Sequence, residues 1–266
     1  MSPAISPDGR LIAFAAQGLR IADRIAQTEW LAASNSGSAF RFSGDGNWLT
    51  YTRYASGVQA NPMVSGSNQV YLYDIQNRIE TLVSHAMSST VFAAGHSELP
   101  DISPDGRFVV YRTLATNLVN SVNGTSRQII LYDRLTGQNS LVSASYITGL
   151  QADDNSLRAS FSTDGQLLLL QSWASDLLAN DFNRNGDVFS QPIFMVRILP
   201  PGTAGEGPWL YWPFAPGNNY AVQFKSGLDN PMWQTLPGSI TNDGVKAWTQ
   251  DVSPTNSQRI YRVRSF

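Results

Sequence analysis

The sequence has no cysteine, two histidines and two lysines in 266 residues. Without thiols there are no disulfides and no thiolate metal sites, and the redox compartment is left open. His85 and His96 alone do not build an ordinary zinc site. No Gly-x-Ser-x-Gly elbow supports a serine triad. Charged residues are scarce at 14%, the net charge is −2 and the arginines are scattered, so neither nucleic acid nor an anionic membrane is an expected partner. No apolar run approaches membrane-spanning length. Met1-Ser2-Pro3-Ala4-Ile5 shows no basic or apolar leader segment, so no signal peptide is expected in this chain, which is read as trimmed or as part of something longer.

What is abundant is turn chemistry. Ile102-Ser103-Pro104-Asp105-Gly106-Arg107 leads into the apolar run Phe108-Val109-Val110-Tyr111, which reads as two antiparallel strands around a tight turn. Pro pre-sets one turn φ, Asp bonds its own turn and Gly takes φ > 0. Three further copies turn at Asp8-Gly9, Asp45-Gly46 and Asp164-Gly165, so successive Asp residues are 37, 60 and 59 apart. Such self-similarity marks a repeat architecture.

The second and third copies superpose element by element. Val70-Tyr71-Leu72-Tyr73-Asp74 matches Ile129-Ile130-Leu131-Tyr132-Asp133, and Glu80-Thr81-Leu82-Val83-Ser84 matches Asn139-Ser140-Leu141-Val142-Ser143. Each copy thus holds four strands, the content of a propeller blade. The expected fold class is all-β: a β-propeller with four recognisable blades in a small or incomplete ring (residues 1–199; blades about 3–36, 38–97, 98–157 and 158–199), then a small β-sandwich. The fourth blade is expected to end in Ile193-Phe194-Met195-Val196. Residues 200–208, rich in Pro and Gly, read as a linker, and 209–266 as a five-stranded module of immunoglobulin or fibronectin type. Its four tryptophans read as packing rather than as a ligand platform.

Strand parity puts all tight turns at one end of the blades. The long connections, 54–68, 113–127 and 172–186 within blades and 84–98 and 143–157 between them, fall at the other end. Long loops on a rigid scaffold are where recognition concentrates, so a glycan, peptide or protein partner is expected there.

Three chemistries compete with pure binding. Asp181, Asn183, Asn185 and Asp187 alternate around Gly186 like the first half of a calcium loop, without the terminal bidentate Glu of an EF-hand. Glu98 and the pair Asp153-Asp154 precede the innermost strands of the third and fourth blades, where two carboxylates across a channel mouth suit glycoside chemistry. Asn123-Gly124-Thr125 fits the glycosylation sequon.

With these residues in place, Ser6 to Arg10 and Ser103 to Arg107 resemble the Ser-Pro-Asp-Gly-Arg signature of TolB-like, WD-like propeller repeats. Ser172-Trp173-Ala174-Ser175-Asp176-Leu177, followed by Asp181 and Asp187-Val188-Phe189, is similar to secreted bacterial repeat proteins of planctomycete and verrucomicrobial type. Here Ala179-Asn180 replaces their usual Pro-Gly. The end, Gln258-Arg259-Ile260-Tyr261-Arg262-Val263, resembles the small sandwich that closes many of those chains. The resemblance implies an extracytoplasmic protein. Relatives of this kind include periplasmic interaction partners, the gating domain of prolyl oligopeptidases, whose hydrolase domain is not seen here, and some polysaccharide lyases. The expected function is non-catalytic binding, the alternative a glycoside hydrolase or lyase, and open blade edges favour self-association.

A calcium ion at Asp181–Asp187 would stabilise the fold by about 2.7 kcal/mol at a hundredfold excess over its dissociation constant. Chelation is then expected to lower the melting temperature; an unchanged melt removes the ion.

Overall fold

The computed structural model describes residues 2–35, 37–55, 66–87, 91–179, 181, 185–193, 197–199, 207–213, 219–227, 230–243, 246–252 and 259–265. The chain forms two units, Met1–Gln191 and Pro192–Phe266.

The first unit is a series of antiparallel meanders. Strands β1 (Ala4–Ile5), β2 (Leu11–Ala15), β3 (Leu19–Asp23) and β4 (Thr28–Ala33) form the first sheet in sequence order. The second holds β5 (Gly37–Phe42), β6 (Trp48–Ala55), β7 (Ser67–Asp74) and β8 (Ile79–Leu82). The third holds β9 (Ser97–Ile102), β10 (Phe108–Thr113), β11 (Gln128–Asp133) and β12 (Gln138–Leu141). The fourth has three strands, β13 (Ser156–Phe161), β14 (Leu167–Ser172) and β15 (Asp187–Pro192). These are propeller blades.

The turn that starts each blade is locked by a residue beyond Asp and Gly. Ser103 Oγ donates to Asp105 Oδ1 at 2.6 Å and accepts the Phe108 amide at 2.9 Å, while Asp105 Oδ1 accepts the Arg107 amide at 3.1 Å. Ser6, Ser43 and Ser162 make the same pair of bonds in the other copies. The four glycines take φ between 67° and 72°. The signature Arg has its own partner. Arg107 pairs with Asp133 at 2.9 Å and Arg10 with Asp23 at 2.6 Å, tying the first turn of the blade to the Asp that ends its third strand. That contact holds Asp23 down at about pH 2, its bond to Arg10 being the main cause. Gly44 departs from the Pro of the motif because a Cβ there would lie 2.9 Å from Pro104, whose carbonyl accepts the Asp45 amide of the preceding blade at 2.9 Å.

Neighbouring blades share cores. Leu11, Ala13, Leu19 and Ile21 of the first blade bury against Phe40, Leu49, Tyr51, Tyr71 and Tyr73 of the second. Val70 and Leu72 bury against Val109, Tyr111, Ile130 and Tyr132 of the third.

The second unit begins earlier than composition suggests. Strand β16 (Arg197–Leu199) pairs with β17 (Trp209–Pro213), so residues 200–208 connect two strands of one sheet. The stretch expected as the last strand of blade four lies across this boundary, and 194–196 fall outside the described residues. With β18 (Tyr220–Lys225), β19 (Gln234–Thr235), β20 (Thr241–Asn242), β21 (Lys246–Gln250) and β22 (Ile260–Ser265), two sheets form, ordered β16-β17-β21-β20 and β19-β18-β22. They share a core of Leu210, Trp212, Val222, Leu236 and Ala247. The expectation for the tryptophans divides: Trp212 is core, Trp233 lies under Arg262 and Lys225, and Trp209 and Trp248 flank Tyr211 in an aromatic row.

Replacing Ser103, fully buried, by Ala strands the Phe108 amide and is expected to destabilise by about 1–3 kcal/mol. Ser162→Ala, in the more open copy, should cost less; denaturant titration of both variants checks the order.

Candidate functional site

Hydrogen bonding confirms that the two ends of the blades differ. At the tight-turn end, bonds are local or run from turn to turn, as from Arg134 Nε to Gly106 O at 2.9 Å. At the other end the long connections brace one another. Between the connection that enters blade four and that blade's own long loop, the Tyr146 amide donates to Asp176 O at 2.8 Å, the Asp153 amide to Asp176 Oδ1 at 3.0 Å and the Trp173 amide to Asn155 O at 2.9 Å. The same bonds recur 59 residues earlier: Met87 N to Asn117 O, Ala94 N to Asn117 Oδ1 and Leu114 N to His96 O. Asn117 and Asp176 are therefore equivalent braces, and the buried Leu118 and Leu177 that follow them anchor each loop in the core.

The fourth blade adds a further brace. Asp153 Oδ1 accepts the Ser175 amide at 2.9 Å and Asp153 Oδ2 the Ser175 hydroxyl at 2.7 Å. Burial pushes the Asp153 carboxyl up, but its bonds to Ser175, with smaller contributions from the Asp176 side chain and its own backbone amide, outweigh this, so the group lies below its ordinary value of 3.8. Gly186 contributes by having no side chain: a Cβ would sit 2.6 Å from the Trp173 indole.

On this scaffold Tyr146, Ile147, Leu150, Trp173 and Leu178 are each more than half exposed. These five large apolar groups thus lie on the described parts of two loops that are hydrogen-bonded to each other. The sequence pointed to this end of the blades but not to these side chains; aligning the copies at 59 residues would have exposed the Asn117–Asp176 brace.

The proposed carboxylates are occupied separately. Glu98 pairs with Arg112 at 2.6 Å, and Arg112 also donates to Leu157 O at 3.1 Å. Asp153 holds Ser175, and Asp154 Oδ1 accepts the Asn155 amide at 2.6 Å. The left-handed Leu99 beside Glu98, φ 53°, has a counterpart in Ala39, φ 55°, at the same repeat position, so this strain belongs to the repeat rather than to a catalytic site. Of the calcium set, Asn183 lies outside the described residues, and among the described residues no three His, Cys, Asp or Glu gather as a metal site. His85 faces the carbonyls of Ala86 and Gly137, and His96 accepts the Asn68 amide.

A concavity of about 520 Å³ opens at the tight-turn end between blades one and two, lined by Asp8, Arg10, Asp45, Trp30 and Arg78 among others. Arg78 stacks over Trp30 at 4.8 Å and Arg10 is held by Asp23, so its cations are already engaged.

Asp153→Ala is expected to destabilise the loop by about 1 kcal/mol, seen as faster amide exchange at Ser175. Because the folded carboxyl is depressed, its contribution is complete above pH 3.8 and vanishes as the pH falls through the folded value. The advantage of the wild type over the variant should therefore narrow in acid.

No protein-family model and no curated protein sequence matches the chain. Among solved structures it is similar to a TolB candidate from Agrobacterium tumefaciens, at 16% identity over 99% of this chain and 73% of that one, TM-score 0.42. It is also similar to a prolyl endopeptidase, at 12% over 99% of this chain and 42% of that one, TM-score 0.44. A GH74 enzyme from Niastella koreensis aligns at 11% over 79% of this chain and 34% of that one, TM-score 0.41. The blade assignment itself rests on strand order and on the cores shared between sheets.

Proposed function

We propose that the chain is a non-catalytic, extracytoplasmic binding protein whose long-loop surface takes up an extended polypeptide with apolar side chains. The observation that carries this reading is the set of exposed side chains Tyr146, Ile147, Leu150, Trp173 and Leu178 on loops bonded to each other. Three of the five are aliphatic, which suits an apolar peptide better than a sugar ring, and the aromatic pair supplies anchors of the kind that dominate interfaces. The carboxylates nominated for catalysis each serve a local bond instead.

The full chain should be titrated against an array of immobilised peptides and, in parallel, a panel of polysaccharides with assay of released sugar. Wild type is expected to bind aromatic and aliphatic peptides, and the double variant Tyr146→Ala, Trp173→Ala to lose roughly tenfold or more in affinity at unchanged melting temperature. Sugar release that disappears in Glu98→Gln would make the chain an enzyme and overturn the reading. Binding that survives the double variant and is lost in Trp30→Ala would move the site to the tight-turn cleft.

A further inference from the structure

In each of the first three blades, the residue after the Asp that ends the third strand donates its amide to the carbonyl two positions beyond the turn Asp. Arg24 bonds Arg10 O at 2.9 Å, Ile75 bonds Asn47 O at 3.0 Å and Arg134 bonds Arg107 O at 2.9 Å. The backbone is thus equivalent, but the side chain is not. Arg24 donates to Gly9 O at 2.8 Å and Arg134 to Gly106 O at 2.9 Å, so an arginine ties the turn glycine in blades one and three. In blade two Ile75 stands there and has no donor for Gly46.

That arginine also fills the interface between blades two and three. Arg134 lies 4.0 Å over the Trp48 ring, and a Cβ on Gly106 would run into the same indole. Between blades one and two both members of the pair are smaller. Leu11 takes the place of Trp48, each being third after its turn Asp, and Ile75 takes that of Arg134. A Cβ on Gly46 would meet nothing nearer than Ser6 and Pro7 at 4.0 Å. What remains is the cavity of about 520 Å³, whose lining includes Leu11, Gly46 and Ile75, a volume in the range of small-ligand sites.

The lining carries Asp8, Asp23 and Asp45 against Arg10 and Arg78, three acids to two bases. Arg10 is paired with Asp23, and Arg78 covers Trp30. Asp8 and Asp45 are exposed, and each uses Oδ1 to close its own turn. Bonds from Ser6 and the Arg10 amide hold the Asp8 carboxyl below its ordinary value; at Asp45 burial raises the value, and bonds from Ser43 and Asn47 outweigh it. Both are therefore charged at neutral pH.

We propose that this cavity takes up the guanidinium of an arginine side chain presented by a peptide, in the place that Arg134 fills one interface further on. The planar fork donates to the Gly46 carbonyl and to the carboxylates of Asp8 and Asp45, a match of geometry and of charge. The methylenes of the ligand lie against Leu11 and Ile75. The site is separate from the long-loop surface, being at the other end of the blades and taking a cation instead of apolar groups.

The probe is acetyl-Gly-Arg-Gly-amide, which has no apolar side chain for the long loops, titrated into the isotope-labelled full chain at low salt. Saturable shifts are expected at the Gly46, Asn47 and Ile75 amides, with those of Tyr146 and Trp173 unmoved. The citrulline peptide, of the same shape without the charge, should bind roughly tenfold more weakly. Ile75→Arg supplies the side chain that blades one and three already have; it should melt no lower than wild type and lose the peptide. Asp8→Asn keeps Oδ1 for its turn and should weaken binding roughly tenfold. Absence of saturable shifts, equal binding of the citrulline peptide, or binding that either variant leaves intact overturns the proposal.

Discussion

Each blade of this protein is apolar on both faces, and everything else in the first unit follows from having to bury both. Strand β6 shows the constraint in one segment: Leu49 and Tyr51 enter the core shared with blade one, while Trp48 and Thr50 face blade three. A sheet of this kind has no solvent side, so it is stable only between two others. Blades two and three satisfy that condition, each packed between two others.

Given stacked blades, the two ends of the strands are free to specialise. At one end, Ser, Asp and Gly close a turn within six residues, and the Arg of the motif ties that turn to the end of the third strand. Turns also pack on one another there, as Gly44 does on Pro104. At the other end the connections are long, and they satisfy their backbone groups by bonding to one another through Asn117, Asp176 and Asp153. Bracing of this kind orders a surface without burying its side chains, which leaves large apolar groups outward in blade four.

The carboxylates singled out in the sequence, Glu98, Asp153 and Asp154, each have a hydrogen-bonding partner of their own. Glu98 was identified by charge and position, but charge does not reveal the partner, and Arg112 stands directly across the ladder from it. Asp153 and Asp154 are loop braces for the same reason: a carboxylate next to free amides and hydroxyls at a strand entrance is bound by them first. Composition also misplaced the domain boundary. Pro and Gly mark a change of direction equally well between domains and within a hairpin, and only the pairing of β16 with β17 shows which it is.

The repeat, the four strands of each full blade, the tight turns and the end of the molecule that carries the long loops were all legible in the sequence, because they depend on local turn chemistry and on a side-chain period of two. Tertiary structure alone decided which side chains remain exposed and which carboxylates are occupied. Those outcomes depend on contacts between residues about 30 positions apart, such as Tyr146 with Asp176 and, one repeat earlier, Met87 with Asn117. A local pattern shows that a face is apolar; only the packed molecule shows whether anything lies against it.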